Sequence, residues 1–471
     1  MAKIHSLMDV GKRGMQVSQA ALQTTSHNIA NKSTEGYSRQ RVDIVTNQPV
    51  GEGVHRIGTG SDIGAINRTN NPWLEKQIEK EGSSLAFAQG QSDAMQRVEA
   101  VFNEHVVKGL NNSMGEFFNS FRELANNPES SVARTVVRDN ANAMIKSFKD
   151  MDHQIDTITE DLNQSIKAGV GEVNGYAKEI ADLNQKIQQA EVSGRSNAND
   201  ERDRRDLLVK KLSEKIDISY AEDGSTGMLN ITAGKTGVLV AGTSDSTLTT
   251  GSNSEGKLQI LYPLSKGGTN VDITDQFKRG ALGGAIELRD GLVDNMRSEL
   301  EELSYKIASE VNNTHAEGFD RYNIEGTQFF NIPADGKYKL EDLSLNKVIQ
   351  DDVGRIAAGA KANAPGDNTI ANAIHSLQFK RVMSDGHATF DDFYNSKVGQ
   401  IGIATAHAAS GVESQKNILD QLKNTREGVS GVSLDEEATK MIEYQKAFEA
   451  SARVIKMADE MFDTILSLKR M

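Results

Sequence analysis

Residues 433–470 constrain this chain more than any other stretch. Apolar or small side chains recur there in alternating steps of three and four, at Met441, Tyr444, Phe448, Ser451, Ile455, Ala458, Phe462 and Ile465. Leu434, Ala438, Ala452 and Leu466 widen the stripe. A heptad pattern kept this long fits a helix that lies along another helix and little else. Ser433 and Glu436 are spaced as a capping box at its start. Asp435, Glu436 and Glu437 suit the positive end of the helix dipole, as Lys469 and Arg470 suit the negative end.

The opposite end carries the same pattern. Ile4, Met8, Gly11, Met15, Ser18, Leu22, Thr25 and Ile29 form a four-three stripe. Gly11 and Gly14 each cost about 1 kcal/mol relative to Ala, so this helix is marginal alone in water. Seven large apolar side chains lie along it: Ile4, Leu7, Met8, Met15, Val17, Leu22 and Ile29. Full burial of each contributes roughly 1.5–3 kcal/mol, and one antiparallel partner helix cannot cover them all. Such stripes also suit the core of one monomer, with the two helices packed together. A Gly-rich, Pro-terminated connection after the first helix argues for the other arrangement. The expectation is that both ends order fully only against other subunits, by heterologous contacts.

The connection begins in "TSHNIANKSTEGYSRQRVDIV", residues 25–45. Asn28 and Asn31 suit the end of a helix, where they satisfy loose carbonyls or take left-handed geometry. "STEG" places Gly36 at the turn position that needs a positive φ. Residues 37–45 read as extended, and Gly-punctuated strand or loop continues to Pro72. The segment is a helix stop, a turn and a linker.

Helical pattern fills most of 73–212. Val173, Tyr176, Ile180, Leu183, Ile187 and Ala190 share one predicted face. Pro128 marks a break, with Ser130 or Ser131 as the next cap. Near Ile216 the period changes to two. "IDISY", "MLNIT", "GVLVAG" and "LQILYPL" read as short strands between Gly, Ser, Asp and Asn. Helix returns at 284–313 through Leu292, Met296, Leu300, Leu303, Ile307 and Val311. The expected fold is mainly α with a small all-β domain. Its parts are terminal coiled-coil helices (1–35 with 430–471), an extended linker (36–72) and a discontinuous helical bundle (73–215 with 280–320 and 400–429). An inserted β domain (216–279) and a mixed loop and helix outer region (321–399) complete it.

No constellation for catalysis emerges. "TAGKTG" lacks the first Gly of a phosphate loop, because position 229 is Leu. "GTGSDIG" opens no long helix, since Pro72 follows. The nine His are scattered without metal-ligand spacing. "NDERDRRD" (199–206) reads as a solvated face of alternating charge. No catalytic residue, cofactor or metal is therefore expected. The net charge of −13, with no basic run, excludes a nucleic-acid partner. The absence of Cys excludes disulfides and thiolate chemistry. No apolar run reaches the roughly eighteen residues of a membrane span, and no signal-peptide core is present at the N-terminus. The chain is expected to be cytoplasmic or exported without cleavage.

"ALQTTSHNIANKSTEGYSRQRVD" resembles the N-terminal signature of the bacterial flagellar axial proteins. The "GYSRQ" ending, "LANNPESSVAR", "DERDRRDLLVKKLSE" and "LGGAIELRDG…VNNTHAEGFD…GTQFF" resemble the hook-associated protein 1 family within them. "GVSLDEEATKMIEYQKAFEASARVIKMADEMFDTIL" is similar to its C-terminal signature. The likeness covers both ends and most of the helical body, and is weakest in the β domain and 335–400. One departure is Glu35, where the family commonly has Pro; the turn then leans on Gly36 alone.

The resemblance implies a structural subunit at the junction of hook and filament. It implies export by the flagellar type III apparatus without signal cleavage, and an extracellular place in the flagellum. Implied partners are copies of the chain, the hook protein, the second junction protein, and a cytoplasmic chaperone that holds the C-terminal helix before export. The surface expected to meet other subunits consists of Ile4, Leu7, Met8, Met15, Leu22, Ile29, Leu434, Met441, Tyr444, Phe448, Ile455, Phe462 and Ile465. Asn28, Asn31, Gly36, Ser433 and Glu436 are expected as turn and cap residues. Two alternatives stand beside this reading: another axial component (hook or distal rod), or a secreted adhesin or enzyme carried by residues 216–400.

Overall fold

Both terminal stripes are continuous helices in the computed structural model of the chain. The structure describes residues 2–52, 55–102, 109–192, 197–254, 256–264, 270–333 and 338–470, without the side chains of 2–4, 50–52, 55–56 and 468–470. In chain order the helices are α1 (Ala2–Ala30), α2 (Pro72–Phe102), α3 (Leu110–Asn126), α4 (Ser131–Glu191), α5 (Asn199–Lys215) and α6 (Gly280–Glu287). There follow α7 (Asp294–Ala316), α8 (Lys347–Asp351), α9 (Thr369–Ser376), α10 (Phe390–Ser430) and α11 (Leu434–Arg470). The strands are β1 (Gln40–Thr46), β2 (Val50–Glu52), β3 (His55–Ile57), β4 (Ser61–Arg68), β5 (Ile218–Glu222), β6 (Leu229–Ala233) and β7 (Gly237–Ala241). The remainder are β8 (Ser244–Asp245), β9 (Thr249–Ser252), β10 (Leu258–Pro263), β11 (Asn270–Asp272), β12 (Phe330–Asn331) and β13 (Ser344–Leu345).

The chain divides into two compact units. Unit 1 gathers residues 1–86, 168–283 and 414–471. Here α1 lies antiparallel along α11, and the β1–β4 hairpin rests on α1. The four predicted strands are present, in an antiparallel meander β5-β6-β7-β8 and a three-stranded sheet ordered β11-β10-β9. Two Asn of α4 fasten these sheets. Asn184 donates to Leu229 O and Gly242 O at 2.8 and 2.7 Å, and Asn174 exchanges bonds with the backbone of Leu248 at 2.9 and 2.8 Å. Each offers an otherwise orphaned strand-end group a partner.

Unit 2 gathers residues 87–167 and 284–413. Its core is aromatic: Phe117, Phe118, Phe121, Phe329, Phe330 and Phe390 are fully buried. Phe329 and Phe330 belong to "GTQFF", and their rings lie 5.9 and 5.8 Å from that of Phe117. Asn312 on α7 aims them, accepting from both their N–H groups at 2.8 Å and donating to Phe330 O at 2.9 Å. His315 lies one helical turn further on, buried, between Thr327 O at 2.7 Å and Ala357 N–H at 2.9 Å.

Several local expectations need correction. Residues 36–72 are not a bare linker, because β1 and β4 pair antiparallel from Gln40↔Arg68 to Thr46↔Ser61. Residues 321–399 are not separate from the helical body; they supply Phe329, Phe330 and α9 to the core around α3 and α7. On α4 the buried face runs through Val173, Ala177, Ile180, Ala181, Asn184 and Ile187, leaving Tyr176 half-buried and Ala190 exposed. Leu292 is half-buried while Val293 is buried, since a π-helical turn at Leu288–Val293 inserts a residue and rotates the stripe ahead of Met296. The break at Pro128 holds, with Ser130 Oγ accepting from Ala133 N–H at 3.2 Å at the start of α4.

Candidate assembly interface and the joint behind it

The helix pair is close because its contact side is small. A Cβ on Gly11 would stand 2.7 Å from Ile455 Cγ1, and one on Gly14 would stand 2.7 Å from Ser451 Oγ. Gly11, Ser18, Ala21, Thr25 and Asn28 are buried on α1, and Ala458 on α11. The His5 and Phe462 rings meet at 5.9 Å near the far end. Contrary to the expectation that the ends await other subunits, the two helices are paired within one chain.

The large side chains are another matter. Leu7, Met8, Met15, Leu22 and Ile29 on α1 are only half-buried, as are Met441, Tyr444, Phe448, Ile455 and Phe462 on α11. Leu434 and Ile465 are exposed, and so are Ile442, Met457, Met461 and Leu466. The Ile4 side chain lies outside the described residues, as do those of Lys469 and Arg470. A monomer seldom shows so long a row of apolar groups. Ile442, Met457 and Met461 escaped the stripe drawn from periodicity because they sit on its flank.

The joint after α1 is a polar lattice. Asn31 closes the helix by two bonds to His27 O, N–H and Nδ2 each at 3.1 Å. Thr34 O accepts from Tyr37 N–H at 3.2 Å, and Gly36 supplies φ +82° in that turn. A Cβ there would come 3.1 Å from Leu207 Cβ, so Gly is required by conformation and by space. Glu35 takes the other central turn position and pairs with Lys211 at 3.3 Å.

Asn28 does something else. Its Oδ1 accepts from Tyr37 OH at 2.7 Å and Gln40 N–H at 2.9 Å; its Nδ2 donates to Gln40 O at 2.9 Å and Glu437 Oε2 at 3.0 Å. It is a bracket between α1, β1 and α11, and neither it nor Asn31 is left-handed. Glu437 is 1% exposed. Arg39 answers it, Nε to Oε1 at 2.8 Å with Nη2 2.7 Å from the same oxygen, and Nη1 meets Glu436 at 3.0 Å. Glu436 therefore serves Arg39 rather than a capping box, while Ser433 O receives Glu437 N–H at 3.0 Å.

The lattice continues into α5. Ser38 N–H donates to Asp203 at 2.7 Å, and Arg68 Nη1 reaches Asp203 and Asp206, each at 2.7 Å. Gln40 Nε2 bonds Asp200 at 2.7 Å. Residues 199–206, read as a solvated charged face, thus form one wall of the joint. From α10, Arg426 donates to Glu75 at 2.7 Å and to Tyr37 O at 3.3 Å. Burial, then the carboxylates of Asp200, Asp203 and Glu437, push the Tyr37 phenol above its ordinary pKa, so it stays a donor to Asn28. Burial raises the carboxyl of Asp203 despite Arg68 and the Ser38 N–H. Burial acts the same way on Glu75, but Lys210 and Arg426 outweigh it and hold that carboxyl below its ordinary value. Tyr37, Arg39, Asp203, Arg426 and Glu437 have no periodicity of their own, and only the "GYSRQ" block hints at the first two.

Among the described residues no group of three or more His, Asp or Glu is placed to hold a metal ion, and no helix is long and apolar enough to cross a membrane. The geometry suits a rigid mount for a helix pair whose apolar flank faces outward.

Comparison with known proteins agrees with the geometry. Residues 95–330 match the family model of the flagellar hook-associated protein FlgK helical domain. Residues 8–37, covering most of α1 and the turn, match the flagella basal body rod protein family. Residues 428–468 match the C-terminal family of the flagellar basal body rod FlgEFG proteins. The ends are thus of a type shared among axial proteins, while the middle is specific. The chain is 28% identical over 502 residues to flagellar hook-associated protein 1 of Bacillus subtilis (strain 168), covering 98% of this chain and 97% of that one. It is 25% identical over 550 residues to the Escherichia coli (strain K12) protein of the same name, covering 98% and 100%. The solved structure of the flagellar hook junction protein FlgK from Burkholderia pseudomallei has the same fold, with a TM-score of 0.68 over 75% of this chain and 100% of that one at 15% identity. With half of its length matched by the family's own helical domain, this chain belongs to the flagellar hook-associated protein FlgK family.

Proposed function

We propose that the apolar flank of the α1–α11 pair is the surface through which this chain joins copies of itself and its axial neighbours. As a member of its family, the chain is a structural subunit of the bacterial flagellum at the hook–filament junction, outside the cell. The observation that carries the proposed surface is the contrast along one helix pair: small residues let the helices approach, with Ile455 and Phe462 at the contact, and most of the other large apolar residues are left half-covered or exposed. Burying each remaining large side chain against a neighbour contributes on the order of 1 kcal/mol, and the row sums them. The neighbours we assign are the hook protein on one side and the second junction protein on the other. Before export the same flank of α11 would be covered by a cytoplasmic chaperone, and export would follow the flagellar type III route without cleavage.

Deleting the gene tests the reading. Cells should still build hooks and should shed flagellin monomers into the medium. Loss of the hook itself would instead assign the chain to the hook or distal rod.

A further inference from the structure

Unit 2 contains a cavity of about 350 Å³ that the assembly reading does not use. Its walls are the turn before α4, the turn at 319–323 and the loop at 358–367. Arg134, in the first turn of α4, lines it and is 4% exposed. Its guanidinium donates to two neutral carbonyls, Ile356 O and, at 2.8 Å, Pro128 O, and its Nε has no partner. A guanidinium has five donors and a full charge, which two carbonyls do not neutralise. Arg321 and Lys361 also line the cavity, from exposed positions. Among the described residues no carboxylate stands within ion-pairing distance of Arg134, Arg321 or Lys361.

Two of the three acids in the walls are already committed. Asp320 accepts from Tyr322 N–H at 2.7 Å, Ile324 N–H at 2.9 Å and Arg355 Nη1 at 2.9 Å. Asp367 accepts from the N–H groups of Ala360, Lys361 and Thr369 at 2.8, 3.1 and 3.0 Å, and from the Thr369 hydroxyl at 2.6 Å. Only Glu129, at the exposed rim, remains. Two walls are pinned in one arrangement. Asn323 and Asn363 are left-handed, at φ 60° and 57°, and bond each other at 3.0 and 2.6 Å. Such positions cost about 1–3 kcal/mol for most non-Gly residues and hold only where the surroundings fix them. Burial, then the nearby charge of Arg321, lowers the Arg134 pKa, and the Asp320 carboxylate offsets this only in part.

We propose that this cavity binds a small hydroxylated carboxylate, of the size of an acidic monosaccharide, with Arg134, Arg321 and Lys361 as its cationic walls. The volume falls in the range of small-ligand sites and exceeds what one inorganic oxyanion fills. The exposed Arg321 guanidinium can match a carboxylate through two parallel bonds, and the Asn363 Nδ2, which the Asn323–Asn363 pair does not use, suits a hydroxyl.

The test uses the full chain at low ionic strength, with glucuronate, glucose and inorganic phosphate as probes in titration calorimetry. Glucuronate should bind saturably, glucose should not, and phosphate should bind at least tenfold more weakly. Arg134→Gln risks the fold, so the deciding variant is Arg321→Gln with Lys361→Gln, both at exposed positions. It should weaken glucuronate at least tenfold with the melting temperature unchanged, and Glu129→Gln should tighten it. Absence of saturable glucuronate binding, equal binding of glucose or phosphate, or an unaffected double variant would each overturn the assignment.

Discussion

Arg39 and Glu437 form an ion pair behind the helix mount, Nε to Oε1 at 2.8 Å, joining the start of β1 to the first turn of α11. Removing one partner of a buried pair leaves the other charge uncompensated. Glu437→Gln should cost about 3 kcal/mol, the lower end for such pairs, because Arg39 keeps Glu436. Urea unfolding measures the loss. Amide exchange should show it as faster exchange across residues 1–30 and 434–470, and the double variant Arg39→Gln, Glu437→Gln should recover part of it. Additive losses in the double variant would mean that the pair is not coupled.

The close approach at Gly11 predicts opposite outcomes for glycines in two helices. Gly11→Leu cannot fit against Ile455 and the Ser451 carbonyl, and should part α1 from α11. Loss of amide protection in both helices, with unit 2 unchanged, is the readout. Gly175 in α4 has nothing within 4 Å of an added Cβ, so Gly175→Ala should stabilise the chain by about 0.5–1 kcal/mol.

His315 titrates far from its ordinary value. Burial, the largest influence, lowers its pKa to about 4. The folded form therefore keeps a neutral ring, which donates to Thr327 O and accepts from Ala357 N–H. The unfolded chain takes up a proton near pH 6.5, the folded chain only near pH 4, so stability is full above pH 6.5 and falls between those values. The loss reaches on the order of 3 kcal/mol at the lower limit. A melting series from pH 7 to 5 should show a steeper fall in the parent than in His315→Gln.

The flank residues predict a split between stability and assembly. Ile442 and Met457 are 60% and 53% exposed. Changing both to Asp should alter monomer stability by less than about 0.5 kcal/mol each, as for surface positions without partners. In cells the same variant should make hooks and shed flagellin. Normal filaments would remove the α11 flank from the assembly surface.

Local rules carried far into this fold. The positive φ of Gly36, the closure of α1 by Asn31, the break at Pro128 and the strands after Ile216 follow from short-range chemistry that composition exposes. Asn28 was legible as a polar residue at a helix end but not as a bracket, because Glu437 lies 409 residues away. The same holds for Asp203, whose partners at Ser38 and Arg68 meet it only through the fold. Periodicity identified both terminal helices and placed Gly11 and Ser451 in their stripes, yet the surface expected to meet other subunits was drawn from large side chains. The contact between the helices rests on Gly11 and Gly14 against Ile455 and Ser451, a close approach that spacing alone does not distinguish from the outer flank. On α7 the stripe held from Met296 onward and failed at Leu292, where the π turn breaks the regular period.

Unit 1 is assembled from three stretches of sequence that lie far apart, and Glu437 sits in the last of them. Until that final stretch arrives, Arg39 and Asn28 face water and the small side of α1 has no companion. A thread delivered in either direction would travel with this half still open and would lock it only when its first and last turns met. The closing of this half is thus the last step its sequence allows, timed by the meeting of distant stretches.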